Sequence, residues 1–63
     1  MAKREFIIEY EFSSTSAYGD SYTRRVTVSA EHEKEALYVA RIVGFERFGA
    51  RFTDNCFDWR IVR

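Results

Sequence analysis

The chain holds one imidazole, His32, and one thiol, Cys56, and any nucleophilic or acid-base chemistry has to start from them. A nucleophile needs an adjacent base and a third group that orients the base. His32 falls between Glu31 and Glu33 at the start of a helical pattern, where a ring nitrogen serves as a cap rather than a general base. Cys56 opens a strand pattern with no base near it in sequence, the setting of a small buried hydrophobe. Glu9 with Glu11, and Asp54 with Asp58, can each share one side of a strand. Such pairs can ligate a cation or divide acid and base roles, but far more often they solvate a face. One Cys and one His cannot complete a zinc site unless carboxylates join them. There is no Gly-rich phosphate loop, and a domain this small has no space for a deep pocket. The expectation is a chain that is not an enzyme and takes no cofactor and no metal.

Binding chemistry is better represented. Tyr38, Ile42 and Phe45 stand at i, i+4 and i+7 of a helical segment, on the side away from Ala36, Ala40 and Val43, with Arg41 beside them. An exposed apolar stripe with Tyr and Arg in it is typical of protein contacts. The competing account is that the segment 48–52 folds back over the stripe and makes it core. A second pattern interleaves Arg41, Arg47 and Arg51 with Phe45, Phe48 and Phe52, the combination that stacks bases and holds phosphates in single-stranded sites. Its strongest members are Arg47, Phe48, Arg51 and Phe52. Glu46, Asp54 and Asp58 dilute it, and no RNA-recognition or helix-turn-helix pattern is present.

Composition bounds these readings. Ten basic and ten acidic residues cancel, so no whole-molecule field draws the chain to nucleic acid or to an anionic membrane. Six Phe, four Tyr and one Trp make 17% of the 63 residues, a heavy aromatic load for a core that at this size seldom supplies more than about 3–5 kcal/mol unaided. A single Cys excludes a disulfide within the chain and suits a reducing cytoplasm. No apolar run approaches the roughly 20 residues of a membrane span, and Met1-Ala2-Lys3-Arg4-Glu5 leads into a strand pattern rather than a signal-peptide core, so the expected location is cytoplasmic.

The elements that must position these residues follow from periodicity. From Glu5 to Phe12 the residues alternate, with Phe6, Ile8, Tyr10 and Phe12 on one side and Glu5, Glu9 and Glu11 on the other, Ile7 excepted. Residues 13–20, small and polar, make a hairpin loop containing Tyr18. Alternation resumes from Tyr22 to Ala30, with Tyr22, Val26, Val28 and Ala30 inward, Thr23, Arg25, Thr27 and Ser29 outward, and Arg24 interrupting the inner row. His32 then caps a helix with Glu35 three residues on, as in a capping box. Ala36, Val39, Ala40, Val43 and Gly44 form its inner stripe, with Leu37 at the edge. Carrying the helix further puts Arg47 into that stripe, so Gly44 is the expected end, with Phe45 packing back and Gly49 the other candidate. Phe57, Trp59 and Ile61 alternate with Asp58 and Arg60 as a last strand. A variant reading adds a short strand at 48–53, turned by Asp54-Asn55.

Handedness fixes the connection. A hairpin, a helix and a third strand parallel to the second require a right-handed crossover, so the third strand lies beside the first in the order 2-1-3. The expected fold is a single α+β domain, a three-stranded antiparallel sheet with one helix on one face. Its other face brings Glu5, Glu9 and Glu11 opposite Arg25 and Arg60.

This β-β-α-β order, with Val26-Thr27-Val28-Ser29-Ala30-Glu31 running into Glu35-Ala36-Leu37-Tyr38-Val39-Ala40, resembles small proteins of bacteriophages and other mobile elements, the RNA polymerase inhibitors of T7-type phages among them. The resemblance spans residues 22–45 and carries over no site residue. It implies a compact domain that docks onto a host enzyme. The leading expectation is therefore a protein-binding module, a phage-type or mobile-element modulator or inhibitor of a host protein, contacting its partner through Tyr38, Arg41, Ile42 and Phe45 with a sheet edge or the Tyr18 loop. Its alternatives are a weak single-stranded nucleic-acid binder and a homodimeric structural protein that self-associates through the same stripe.

Overall fold

A computed structural model describes residues 2–14 and 19–63, and the chain runs β1 (Arg4–Ser13), β2 (Ser21–Ala30), α1 (Glu33–Phe48), α2 (Ala50–Asn55), β3 (Cys56–Ile61). The strands form one antiparallel sheet in the order β2-β1-β3, the small α+β fold expected from the pattern and its handedness. β1 and β2 pair without a break from Arg4 opposite Ala30 to Ser13 opposite Ser21. This register puts Phe6, Ile8, Tyr10 and Phe12 on the same face as Val26, Val28 and Ala30, and all seven are buried. Ala36 and Ala40 from α1 and Phe52 from α2 complete the core.

The outer face is ionic. Glu9 pairs with Arg25 at 3.0 Å and with Arg60 at 2.9 Å, and Arg60 also reaches Glu11 at 3.1 Å and Asp58 at 2.9 Å. The residues concerned are those that cross-strand pairing brings side by side: Glu9 stands opposite Arg25 on one neighbour and opposite Arg60 on the other.

Three expectations change. The helix does not end at Gly44 but continues to Phe48, with Gly49 at φ +57° closing it and donating its N–H to the Phe45 carbonyl. The contact line explains this, because Ala36, Ala40 and Gly44 are all buried and the next member of that i, i+4 row is the half-buried Phe48. The row turns across the helix surface, so Arg47 falls beside it and stays exposed. Gly44 serves close approach instead of termination: a Cβ there would stand 2.5 Å from Cε1 of the Phe52 ring.

The variant strand at 48–53 is instead the last residue of α1, the Gly49 break and the start of the helix α2, whose turn carries Phe52 into the core. Phe48 closes α1 and Phe52 lies in α2 beyond the Gly49 break, and both ring the core tyrosine: Tyr10 lies 5.1 Å from Phe48 and 6.0 Å from Phe52, centroid to centroid, in edge contacts. Finally, Phe57 is not inward with Trp59 and Ile61 but 60% exposed. The β1–β3 register shifts between Glu11 and Phe12, which stand opposite Asp58 and Cys56, so Phe57 is the extra residue of a bulge and Cys56 takes the inner position.

Candidate docking surface

The outer stripe of α1 is held in place by how both ends and the inner side of the helix are fixed. At the start, Nδ1 of His32 accepts a hydrogen bond from the Glu35 N–H at 3.2 Å, while Oε1 of Glu35 accepts one from the Glu31 N–H at 2.7 Å. This is close to a capping box, with an imidazole in place of a hydroxyl and with Glu35 reaching the residue before the cap, and it commits His32 to structure as its position in the sequence suggested. Glu33 and Glu35 lie in the first turn and Arg47 in the last, each matching the helix dipole.

On the inner side the residues are small, and the Tyr10 hydroxyl reaches across from β1 to donate a 2.6 Å hydrogen bond to the Ala40 carbonyl. Burial, with lesser effects of Cys56 raising it and Arg47 lowering it, pushes this phenol up to about 12, so it stays a neutral donor at physiological pH. Sheet and helix are thereby joined at the middle of α1.

The opposite side of that same middle turn carries the candidate residues. Tyr38 is 64% exposed, Ile42 46% and Phe45 46%, with Arg41 exposed among them. The fold-back of residues 48–52 occurs, and the Phe52 ring meets Phe45 edge-on at 4.8 Å, yet Phe45 and Ile42 each stay 46% exposed. Tyr38 makes none of the ring contacts of the core. The structure therefore brings Tyr38, Arg41, Ile42 and Phe45 onto one open surface. Tyr18 lies outside the described residues. Phe57 and Val62, 60% and 38% exposed, are further apolar residues at the surface. Sequence reading missed Phe57 because a bulge leaves no mark in an alternating pattern.

The nucleic-acid candidates separate. Phe52 is 5% exposed and sits among Tyr10, Phe45 and Trp59, and Phe48 is half-buried against Tyr10 and Phe12, so neither ring is free to stack a base. Arg47 stays exposed, and Arg51 lines an open depression of about 350 Å³ with Ser13, Ser14, Tyr22 and Asn55. Two of the lining residues already serve each other: the Ser13 hydroxyl donates to the Asn55 carbonyl, and the Asn55 amide donates to the Ser13 carbonyl, both at 3.3 Å.

The Cys56 thiol donates to the Asp58 carbonyl at 3.4 Å, and burial pushes its pKa up, which suppresses the reactive thiolate. Among the described residues no cluster of three or more His, Cys, Asp or Glu could hold a metal ion, and no helix is long and apolar enough to cross a membrane. Comparison with known protein families, curated proteins and solved structures gives no match for this chain.

Proposed function

We propose that this chain is a non-catalytic protein-binding module whose contact surface is the outer stripe of α1, formed by Tyr38, Arg41, Ile42 and Phe45. The observation that carries the reading is the exposure of Tyr38, Ile42 and Phe45 at 64%, 46% and 46% on a helix whose other side is anchored in the core. Apolar side chains clustered on a rigid element offer burial to a partner at little ordering cost, and a Tyr and an Arg supply the polar handles that orient it. The residues with chemical potential are otherwise engaged, His32 as a cap and Cys56 as a raised, half-buried thiol. The likeness in element order to phage and mobile-element proteins extends the proposal to a modulator or inhibitor acting on a host protein by docking.

The test is the double substitution Tyr38→Glu with Ile42→Glu. The expected result is an unchanged circular dichroism spectrum and melting temperature together with loss of the binding that the parent chain shows. Unfolding of the variant refutes the reading, since exposed residues have no core to disrupt. Salt dependence separates it from the phosphate-binding alternative: affinity for single-stranded nucleic acid that falls steeply between low and moderate salt would favour the latter.

A further inference from the structure

Arg41 and Glu46 are both exposed, and neither makes an ion pair or hydrogen bond with the described residues. Their spacing explains why. Helical neighbours lie three or four residues apart, whereas a separation of five sets two side chains about 140° apart around the axis. Around Arg41 the three- and four-residue neighbours are Leu37, Tyr38, Gly44 and Phe45; around Glu46 they are Ile42, Val43, Gly49 and Ala50. Neither has an opposite charge within reach on its own helix. The two flank the open stripe, Arg41 on one side and Glu46 on the other.

The stripe itself has the spacing of a helix-pairing seam. Tyr38, Ile42 and Phe45 are separated by four and then three residues, with a β-branched side chain at the position where two-stranded parallel pairs favour one. In such a parallel pair a flanking residue of one helix faces the residue five further on in the other, which here sets Arg41 of one copy against Glu46 of the other, twice over by symmetry. An antiparallel pair related by a two-fold axis brings equal flanks together, so Lys34 and Arg41 would meet only their own kind and Glu46 another Glu46. The charges choose the parallel arrangement.

We infer that the partner this stripe fits is a second copy of the chain, docked helix to helix in parallel about a two-fold axis, with Ile42 at the centre and two Arg41–Glu46 pairs across the interface. The inference rests on the reading of this stripe as a docking surface, not on its extension to a host protein, and names a second copy as the partner. The seam is short, because at one end Glu35 is committed to the Glu31 N–H and at the other Gly49 closes the helix. With exposures of 64%, 46% and 46%, the three seam residues offer about 300 Å² per copy. That is well below a standard interface, so the dimer is weak and reversible. Helix formation adds no cost, since the sheet already holds α1.

The experiment measures molar mass by sedimentation equilibrium from about 5 μM to 1 mM, for the parent chain, Arg41→Glu, Glu46→Arg and the variant carrying both. Each single reversal turns two attractions into two repulsions and raises the dissociation constant about tenfold; the double reversal restores it. An equimolar mixture of the two single variants forms a heterodimer as stable as the parent dimer. In a Cys56→Ser background, Tyr38→Cys cross-links to itself under oxidation, because the parallel register sets residue 38 against residue 38. A parent chain that stays monomeric at 1 mM overturns the inference, as does a dimer indifferent to the charges at 41 and 46. The docking reading is tested separately: a monomeric chain that binds another protein and loses it in the folded Tyr38→Glu, Ile42→Glu variant leaves that reading standing while the dimer falls, and unfolding of that variant overturns both.

Discussion

Replacing a helical glycine by alanine ordinarily stabilises a protein, and Gly44→Ala should do the reverse. The gain from helix propensity is about 0.8–1 kcal/mol. Against it stands the Phe52 ring, whose Cε1, Cδ1 and Cζ would lie 2.5, 2.6 and 2.9 Å from the added Cβ, where carbon atoms normally keep about 3.5–4.0 Å. The ring has little room to retreat, since it is 5% exposed and its centroid lies 6.0 Å from Tyr10, 4.8 Å from Phe45 and 5.2 Å from Trp59. Overpacking of this kind costs about 1–3 kcal/mol, so the net effect is a loss of about 1 kcal/mol. In a chain this short that lowers the melting temperature by about 4–8 °C, readable by thermal and urea unfolding followed by circular dichroism. The decisive control is Phe52→Leu: in that background the obstacle is smaller, and Gly44→Ala should turn stabilising by its propensity. An increase in melting temperature for Gly44→Ala in the parent chain would refute the close packing of α2 on α1.

Three further outcomes follow from the same geometry. Tyr10→Phe removes the hydrogen bond to Ala40 and costs about 1 kcal/mol at neutral pH, while changing the alkaline limb. Burial lifts the folded-state phenol to about 12 from an ordinary 10, so its stabilisation is complete below pH 10 and is lost as pH rises toward 12, on the order of 2 kcal/mol; urea midpoints from pH 8 to 11.5 should fall less steeply in the variant, and equal slopes would contradict this. Gly49→Ala meets open space, so its cost of about 1–3 kcal/mol is purely conformational; Gly49→Asn should not rescue it, because ψ −130° lies outside the left-handed well that Asn tolerates. Glu9→Gln breaks the pairs to Arg25 and Arg60 and should cost about 1 kcal/mol in low salt, a difference that shrinks in 1 M NaCl; a salt-independent loss would place the effect elsewhere.

The chain's order along its length was legible in its residues. Strict alternation in Phe6, Ile8, Tyr10 and Phe12 and in Val26, Val28 and Ala30 set which face is core, since a strand's side chains have no choice but to alternate. His32 and Glu35 marked the helix start, and the handedness of the crossover set the strand order. The position of Tyr38, Ile42 and Phe45 opposite the small residues was equally a matter of 3.6-residue periodicity.

What tertiary structure alone decided is where that periodicity stops mattering. Gly44 has the residue type of a helix end, yet the approach of Phe52 from outside the helix makes it an interior contact. Residues 48–53, followed by the turn residues Asp54 and Asn55, could make a short strand, yet the chain breaks at Gly49 and coils into α2 so that Phe48 and Phe52 both pack on Tyr10. Phe57 obeys the alternation of its strand, yet a one-residue shift in pairing with β1 turns it out to solvent. In each case local pattern leaves two conformations close in free energy, and a contact with a segment distant in sequence, which no local window contains, selects between them.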